Sequence, residues 1–245
     1  MARQFNGTNQ SLQSASTINL STYNKITVAY WINVNAYSAT YVHVETSAIS
    51  DSTAGTFGIF SDNTANQYIQ LVGDAGASNV SVAHPSAGAW HHYVHIYDFT
   101  ASSTFEIPQV WIDAVAQNPT GAGPNNTVNF GNFALNLMSR NNTTYFTPGQ
   151  FGEFAIWGNY LFNQTDVSAL YNGGPPSGGA LATTVQSGSL VYYNQIRGTT
   201  SPEPATVGTV ALTVNGATAV TSFLDNLYGT PPPTEPSPFA VGLGV

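Results

Sequence analysis

The chain has 245 residues, of which 7% are charged, and Lys+Arg 4 against Asp+Glu 12 give a formal net charge of −8. So few cations exclude the clustered positive surface that nucleic acid or an anionic membrane requires of a partner. With no cysteine, disulfides and thiolate chemistry are excluded too.

A hydrophobic content of 42% is enough for a full core in a chain of this length. Soluble domains usually carry roughly 25% charge, so this surface has to be built from Asn, Gln, Ser, Thr and Tyr. A weakly hydrated surface of that kind suits lattices, fibres and lectin faces. Residues 1–5 run straight into a strand-like segment without an apolar stretch before it, so no secretory signal is expected. No apolar run is long enough to cross a bilayer. The sequons Asn125-Asn126-Thr127 and Asn141-Asn142-Thr143 therefore read as polar loops rather than glycan sites.

In chain order, residues 3–8 (RQFNGT) predict a short strand and turn, and 11–14 a polar strand. Residues 25–35, KITVAYWINVN, put Ile26, Val28, Tyr30, Ile32 and Val34 on one face and Trp31 on the other, the clearest strand pattern in the chain. Residues 41–49 alternate more loosely. Residues 56–60 and 67–72 predict a hairpin around Asp62-Asn63, followed by a short strand at 79–83. In 88–116, GAWHHYVHIYDFTASSTFEIPQVWIDAVA, alternate residues separate into Trp90, His92, Val94, Ile96 and into His91, Tyr93, His95, Tyr97, Phe99. One side is mostly apolar and calls for a core; the other, aromatic and imidazole, is buried under a second sheet or offered to a partner. Residues 109–113 alternate again, so this stretch predicts the central hairpin of a sandwich.

Residues 118–129 form a Gly-, Pro- and Asn-rich loop, and 133–139 and 150–157 are strands. One helix is signalled. Asn163 caps it, Asp166 completes a capping box, Val167, Leu170 and Tyr171 share a face, and 173–176 (GGPP) stop it. Two more strands follow at 189–196 and 209–214. Residues 228–238, YGTPPPTEPSP, read as a polyproline-like arm.

The segments FNGT (5–8), ITVAYWINV (26–34), GAWHHYVHIYD (88–98), VWIDAV (110–115) and GQFGEFAIWGNYLFNQTDVSALYNGG (149–174) resemble, in this order, the laminin G-like, concanavalin A-like jelly-roll family over residues 3–174. The resemblance implies an all-β, two-sheet antiparallel jelly-roll sandwich with one short helix. The domain is expected over 1–220, with 185–220 completing or flanking the sandwich, and an extended arm over 221–245. Three departures stand out. Ala114 replaces the hairpin glycine, so a longer or differently shaped turn is expected. The E-x-D-x-E run of glucanase relatives is absent. And 189–218, which resembles a segment that precedes the first turn in many relatives, here follows the helix; the C-terminal strands are expected to pair beside the N-terminal one.

Among the carboxylates no same-face pair suits glycoside hydrolysis, and no nucleophile elbow, zinc motif or phosphate loop is present, so no catalytic residues and no enzyme activity are expected. Glu153, where relatives also carry an acid, reads as a sheet-rim residue. His91 and His95 stand about 13 Å apart at strand rise and cannot share a metal. No cofactor is expected. Calcium, common on sheets of the resembled family, would find its candidates in Asp62 (with Asn63) and Asp74. Aromatic platforms with amide partners suit sugars. The glycan candidates are Tyr93, Tyr97, Trp111 and Trp157, with Asn141 and Asn142 in a rim loop, weighed against a plain packing role for strand aromatics.

The expectation that gathers these readings is a non-enzymatic structural protein of a virus particle, a bacteriophage capsid decoration or surface protein. It would be made in the host cytoplasm and would contact virion subunits, copies of itself and host glycans. The alternative is a carbohydrate-binding adhesion module of a phage tail or a bacterial surface, placed outside the cell or on its surface.

Overall fold

The computed structural model of the protein describes residues 2–46, 53–74, 76–99, 108–121, 128–172 and 180–220. They form two antiparallel sheets packed face to face. The first runs in the order Val115–Ala116, Gln109–Ile112, His91–Asp98, Lys25–Val34, Pro148–Gly158, Ala2–Asn6, Thr218–Val220. Pro148–Gly158 is long enough to serve two partners on one edge, Ala2–Asn6 along its first half and Leu190–Asn194 along its second. The second sheet runs Thr120–Gly121, Gly76–Ala83, Asn66–Gly73, Phe57–Ser61, Tyr41–Thr46, Leu135–Leu137, Ser11–Ser14, Leu212–Asn215. This is the expected all-β jelly-roll sandwich.

The period of two in Lys25–Val34 explains the layering. Ile26, Val28, Tyr30, Ile32 and Val34 enter the core between the sheets, where they meet Val44, Phe57, Ile59, Ile69 and Leu71. Each such aliphatic side chain contributes about 1.5–3 kcal/mol by burial. Ala29 and Trp31 point the other way, Ala29 into a second cluster and Trp31 against Ala2.

That second cluster forms where the helix Gln164–Tyr171 lies on the outside of the first sheet. Asn163 Oδ1 accepts from the amides of Thr165 and Asp166, and the Asp166 carboxylate accepts from the Asn163 amide. The capping box expected from the sequence is thus formed, and Val167 and Leu170 face Ala155, Trp157, Ala182 and Val185.

Two expectations need correction, and one open alternative is decided. The 88–116 hairpin is not central: Lys25–Val34 and Pro148–Gly158 occupy the middle of the sheet, and Gln109–Ile112 and Val115–Ala116 form its flank. Of the two alternatives for the His/Tyr side of His91–Asp98, it is the one under the second sheet that holds, with Tyr93 and Tyr97 between the sheets, while Val94 and Ile96 on the apolar side enter the outer cluster. And the Ala114 turn is not longer. Ile112 pairs with Val115 across a two-residue turn with φ of 52° at Asp113 and 62° at Ala114. Asp113 holds this left-handed pair in place: its carboxylate accepts from the His92 amide at 2.9 Å and lies 2.6 Å from His91 Nδ1.

The C-terminal strands do pair beside the N-terminal ones, Thr218–Val220 with Ala2–Asn6 and Leu212–Asn215 with Ser11–Ser14. A buried ion pair locks this closure. Arg3 donates twice to Glu203 Oε2, at 2.9 and 2.7 Å, and also to the carbonyls of Thr200 and Ala217. The 173–176 helix stop, residues 47–49, residues 122–127 of the 118–129 loop and the 221–245 arm lie outside the described residues.

Candidate functional site

The two sheets treat their outer faces differently, and among the described residues the second sheet leaves its face open. In Phe57–Ser61 and Asn66–Gly73, Phe57, Ile59, Ile69 and Leu71 point inward. Alternation then turns Phe60, Tyr68 and Gln70 outward. A register irregularity between Val42 and Val44 brings Val42 out as well, and it packs with Phe60 and Tyr68 on this face. Phe60, Tyr68 and Gln70, together with Asn79 and Thr40, floor a groove whose wall is Arg140 and Tyr145.

The wall belongs to a tight loop. Arg140 and Thr144 bridge, with the Arg140 amide donating to the Thr144 carbonyl at 2.8 Å. Between them Asn141 and Asn142 take φ of 48° and 55°, and Tyr145 takes 52°. Asparagine tolerates that left-handed region better than most residues. Glu45, fully buried on Tyr41–Thr46, anchors the loop: Oε2 accepts from Arg140 Nε and Oε1 from the Asn141 amide, both at 3.2 Å. Asn141 Oδ1 accepts from Gln13 Nε2 and Asn142 Oδ1 from the Ser11 hydroxyl, tying the loop to the neighbouring strand.

The guanidinium of Arg140 sits over two rings, 5.3 Å from the Phe60 centroid and 4.9 Å from that of Tyr145. Tyr145 is 45% exposed, with Val115 one of two large apolar side chains so open to solvent among the described residues. An aromatic platform ringed by Gln70, Asn79 and an arginine can stack on the apolar face of a sugar ring while the amides and cation bind its hydroxyls.

The structure separates the sequence candidates. Asn141 and Asn142 lie in the loop at this groove. Tyr93 and Tyr97 are fully buried between the sheets and offer no platform. Trp157 is also fully buried, its Nε1 donating to the Val185 carbonyl at 2.9 Å under the helix. Trp111 is half-buried on the hairpin flank, in a separate groove with Pro108 and Pro119. Phe60, Tyr68, Arg140 and Tyr145 escaped sequence reasoning; the outward register of Phe60 and Tyr68 in the expected hairpin was the signal available for two of them.

The calcium candidates fall apart from one another. Asp62 stands at one end of Asn66–Gly73 and Asp74 at the other. Burial pushes the Asp62 carboxyl up, but the Thr64 hydroxyl and amide and the Asn66 amide outweigh it and hold the group below the usual carboxylate range. That carboxylate is occupied by its own turn. Among the described residues no group of three or more His, Cys, Asp or Glu is placed to hold a metal ion.

The histidines serve the interior. Tyr30 Oη bridges His43 Nδ1 at 3.4 Å and His95 Nε2 at 3.3 Å, and His43 Nε2 reaches the Ser61 hydroxyl at 3.1 Å. Burial, with the neighbouring His84, depresses His43 to about 3. Burial, with His43 nearby, depresses His95 to about 3. His92 is held at about 3 by burial against the opposing pull of Asp113. The buried glutamates are spoken for as well: Glu45 by Arg140, Glu203 by Arg3, and Glu153, at φ 58°, by the Tyr193 hydroxyl.

Comparison with known proteins places the fold. A family profile described as the concanavalin A-like lectin/glucanases superfamily matches residues 6–168. No curated protein sequence matches the chain. Among solved structures, the native heptameric SAP-like pentraxin from Limulus polyphemus is similar with a TM-score of 0.53 at 13% identity, over 88% of this chain and 95% of that one. A candidate carbohydrate binding protein from Bacteroides ovatus is similar with a TM-score of 0.61 at 13% identity, over 90% of this chain and 60% of that one. At such identities the likeness is one of fold.

Proposed function

The chain belongs to the concanavalin A-like lectin/glucanases superfamily, and from that premise we propose that it is a non-enzymatic carbohydrate-binding protein whose ligand lies across the outer face of the second sheet. The observation that carries this reading is the open groove in which Phe60, Tyr68 and the 45%-exposed Tyr145 stand among amide side chains. The fold-level likeness to the Bacteroides ovatus protein is in keeping with it. A glycan array followed by titration calorimetry tests it. At least one oligosaccharide should bind, and Tyr145→Ala should abolish binding without lowering the melting temperature. An array silent across neutral and charged glycans would sink the proposal. Incubation with the same glycans should release no products, and hydrolysis lost on Glu153→Gln would turn the reading toward a glycosidase.

A second reading is favoured by the composition. With 7% charged residues the surface is unusually poor in the groups that keep proteins apart. This supports a structural protein of a virus particle, a capsid decoration or surface protein of a bacteriophage, that meets virion subunits and copies of itself while presenting the groove to host glycans. In this reading residues 1–220 form the projecting jelly roll and 221–245 the arm that reaches neighbours. The protein would then reside in the virion after synthesis in a host cytoplasm; as a free adhesion module it would sit outside the cell or on its surface. Light scattering and binding to empty capsids separate the two. A monomer indifferent to any particle removes the virion role and leaves the glycan site untouched.

A further inference from the structure

We infer that the ligand of the second-sheet groove is an acidic saccharide, bearing a carboxylate that pairs with the Nη groups of Arg140. The inference rests on the carbohydrate-binding reading and adds the chemical class of the ligand.

It starts from how few cations the chain has. Of the four Lys and Arg, Arg3 is consumed by Glu203 in the interior and Lys25 pairs with Asp98 at 3.1 Å. Arg140 is the one that lines the groove. A guanidinium has five N–H donors in a planar fork. Among the described residues Arg140 spends only Nε, on Glu45. The four Nη donors face a groove already floored by hydrogen-bonding amides, with the side chain 28% exposed.

Its pose is fixed before any ligand arrives. Glu45 holds the Nε edge from beneath, and the rings of Phe60 and Tyr145 lie within 5.3 Å and 4.9 Å of the guanidinium carbon. An arginine clamped this way has little rotamer freedom left to lose on binding. The open end of its fork matches the planar geometry of a carboxylate, which it can engage with two parallel charge-assisted hydrogen bonds. The buried Glu45 neutralises much of the long-range field of the arginine. The expected interaction is therefore short-ranged and geometric, and it need not conflict with the −8 net charge of the chain. Asp62, at the turn of the hairpin that carries Phe60 and Tyr68, is held by Thr64 and Asn66. The sugar ring itself would lie on Tyr145 and Tyr68, with Gln70 and Asn79 reaching its hydroxyls.

The test uses an array of uronic acid, sialic acid and neutral oligosaccharides, each acidic one also as its methyl ester, with affinities of the hits measured by calorimetry. An acidic form should bind at least tenfold more tightly than its own methyl ester, a gap of the size that one charge-assisted pair supplies. Arg140→Lys keeps the charge over Glu45 but loses the planar fork. It should bring that ratio close to one, the acid losing far more affinity than the ester. Should the lysine variant fold poorly, the double variant Glu45→Gln/Arg140→Gln, which strands no buried charge, should show the same loss of preference. Equal affinity for acid and ester, or an acid preference that survives both variants, overturns the inference and leaves the carbohydrate-binding reading standing. No binding to any saccharide on the array overturns both.

Discussion

The outer faces of the two sheets make an instructive contrast. Both are built on strands with an inward apolar row, and both carry aromatic residues on the outside. On the first sheet Ala29, Ala155 and Trp157 are roofed by Val167, Leu170, Ala182 and Val185. On the second, among the described residues, Tyr68, Gln70 and Asn79 line an open groove beside Arg140 and Tyr145, with Phe60 largely covered at its floor. The difference lies in what covers each face. Small residues on the first sheet let a helix approach closely, and the Asn163 capping box starts that helix in the right place. On the second, Arg140, held by the buried Glu45, brings guanidinium donors that call for water or a polar ligand. An aromatic outside a sheet is therefore core or site according to its neighbours.

Acid should give the largest effect, and it separates the groove from everything behind it. His43, His92 and His95 are held neutral in the folded state, each at about 3, while the unfolded chain takes up protons near 6.5. The stability these groups confer is complete above pH 6.5 and is lost as the pH falls from there towards 3, at up to about 1.4 kcal/mol per pH unit for each. Urea unfolding at pH 7 and pH 5 should therefore differ by several kcal/mol, and His95→Gln should flatten the dependence. None of the three lines the groove. Glycan affinity, measured on the folded fraction, should stay level over the same range.

Next in size is Trp157→Ala on the covered face, expected to cost about 3–5 kcal/mol in denaturant unfolding as a fully buried indole is deleted. Its counterpart on the open face, Tyr145→Ala, should move stability by less than about 0.5 kcal/mol. Comparable losses at the two positions would mean that the faces are not different in kind. Asn163→Ala loosens the roof at one end, because the Thr165 and Asp166 amides lose their acceptor. A loss of about 1 kcal/mol is expected in thermal unfolding. The smallest effect is a gain. Ala114→Gly relieves a left-handed alanine at φ 62° and should stabilise the hairpin by roughly 0.5–1 kcal/mol, visible as a small rise in melting temperature.

The contrast also marks which features could be read from the chain beforehand. The Lys25–Val34 strand and the Asn163 helix start were legible because each is specified by residues within one turn or one strand. The faces of His91–Asp98 were not. Alternation reports that two sides differ, but where a helix roofs a sheet both sides are interior, and polarity no longer separates inside from outside. Tyr93 and Tyr97 looked like platforms for that reason, with hydroxyls that suggested solvent. The open groove was harder still. Asn141 and Asn142 could be placed in a loop from their turn chemistry alone. Phe60, Tyr68 and Arg140 come from separate segments that meet only through sheet pairing. The Glu45–Arg140 contact spans 95 positions of sequence, beyond the reach of any local pattern.

The pairing of Arg3 with Glu203, and of Ala2–Asn6 with Thr218–Val220, carries a consequence in time. A ribosome adding about 5–20 residues per second delivers the second member of each pair some tens of seconds after the first at the slower end of that range. Through that interval the opening strand has an exposed edge and a guanidinium without its counterion. The first sheet cannot be sealed on the nascent chain until its last strands have emerged, so truncated products should be captured by chaperones or aggregate rather than persist as smaller folded proteins.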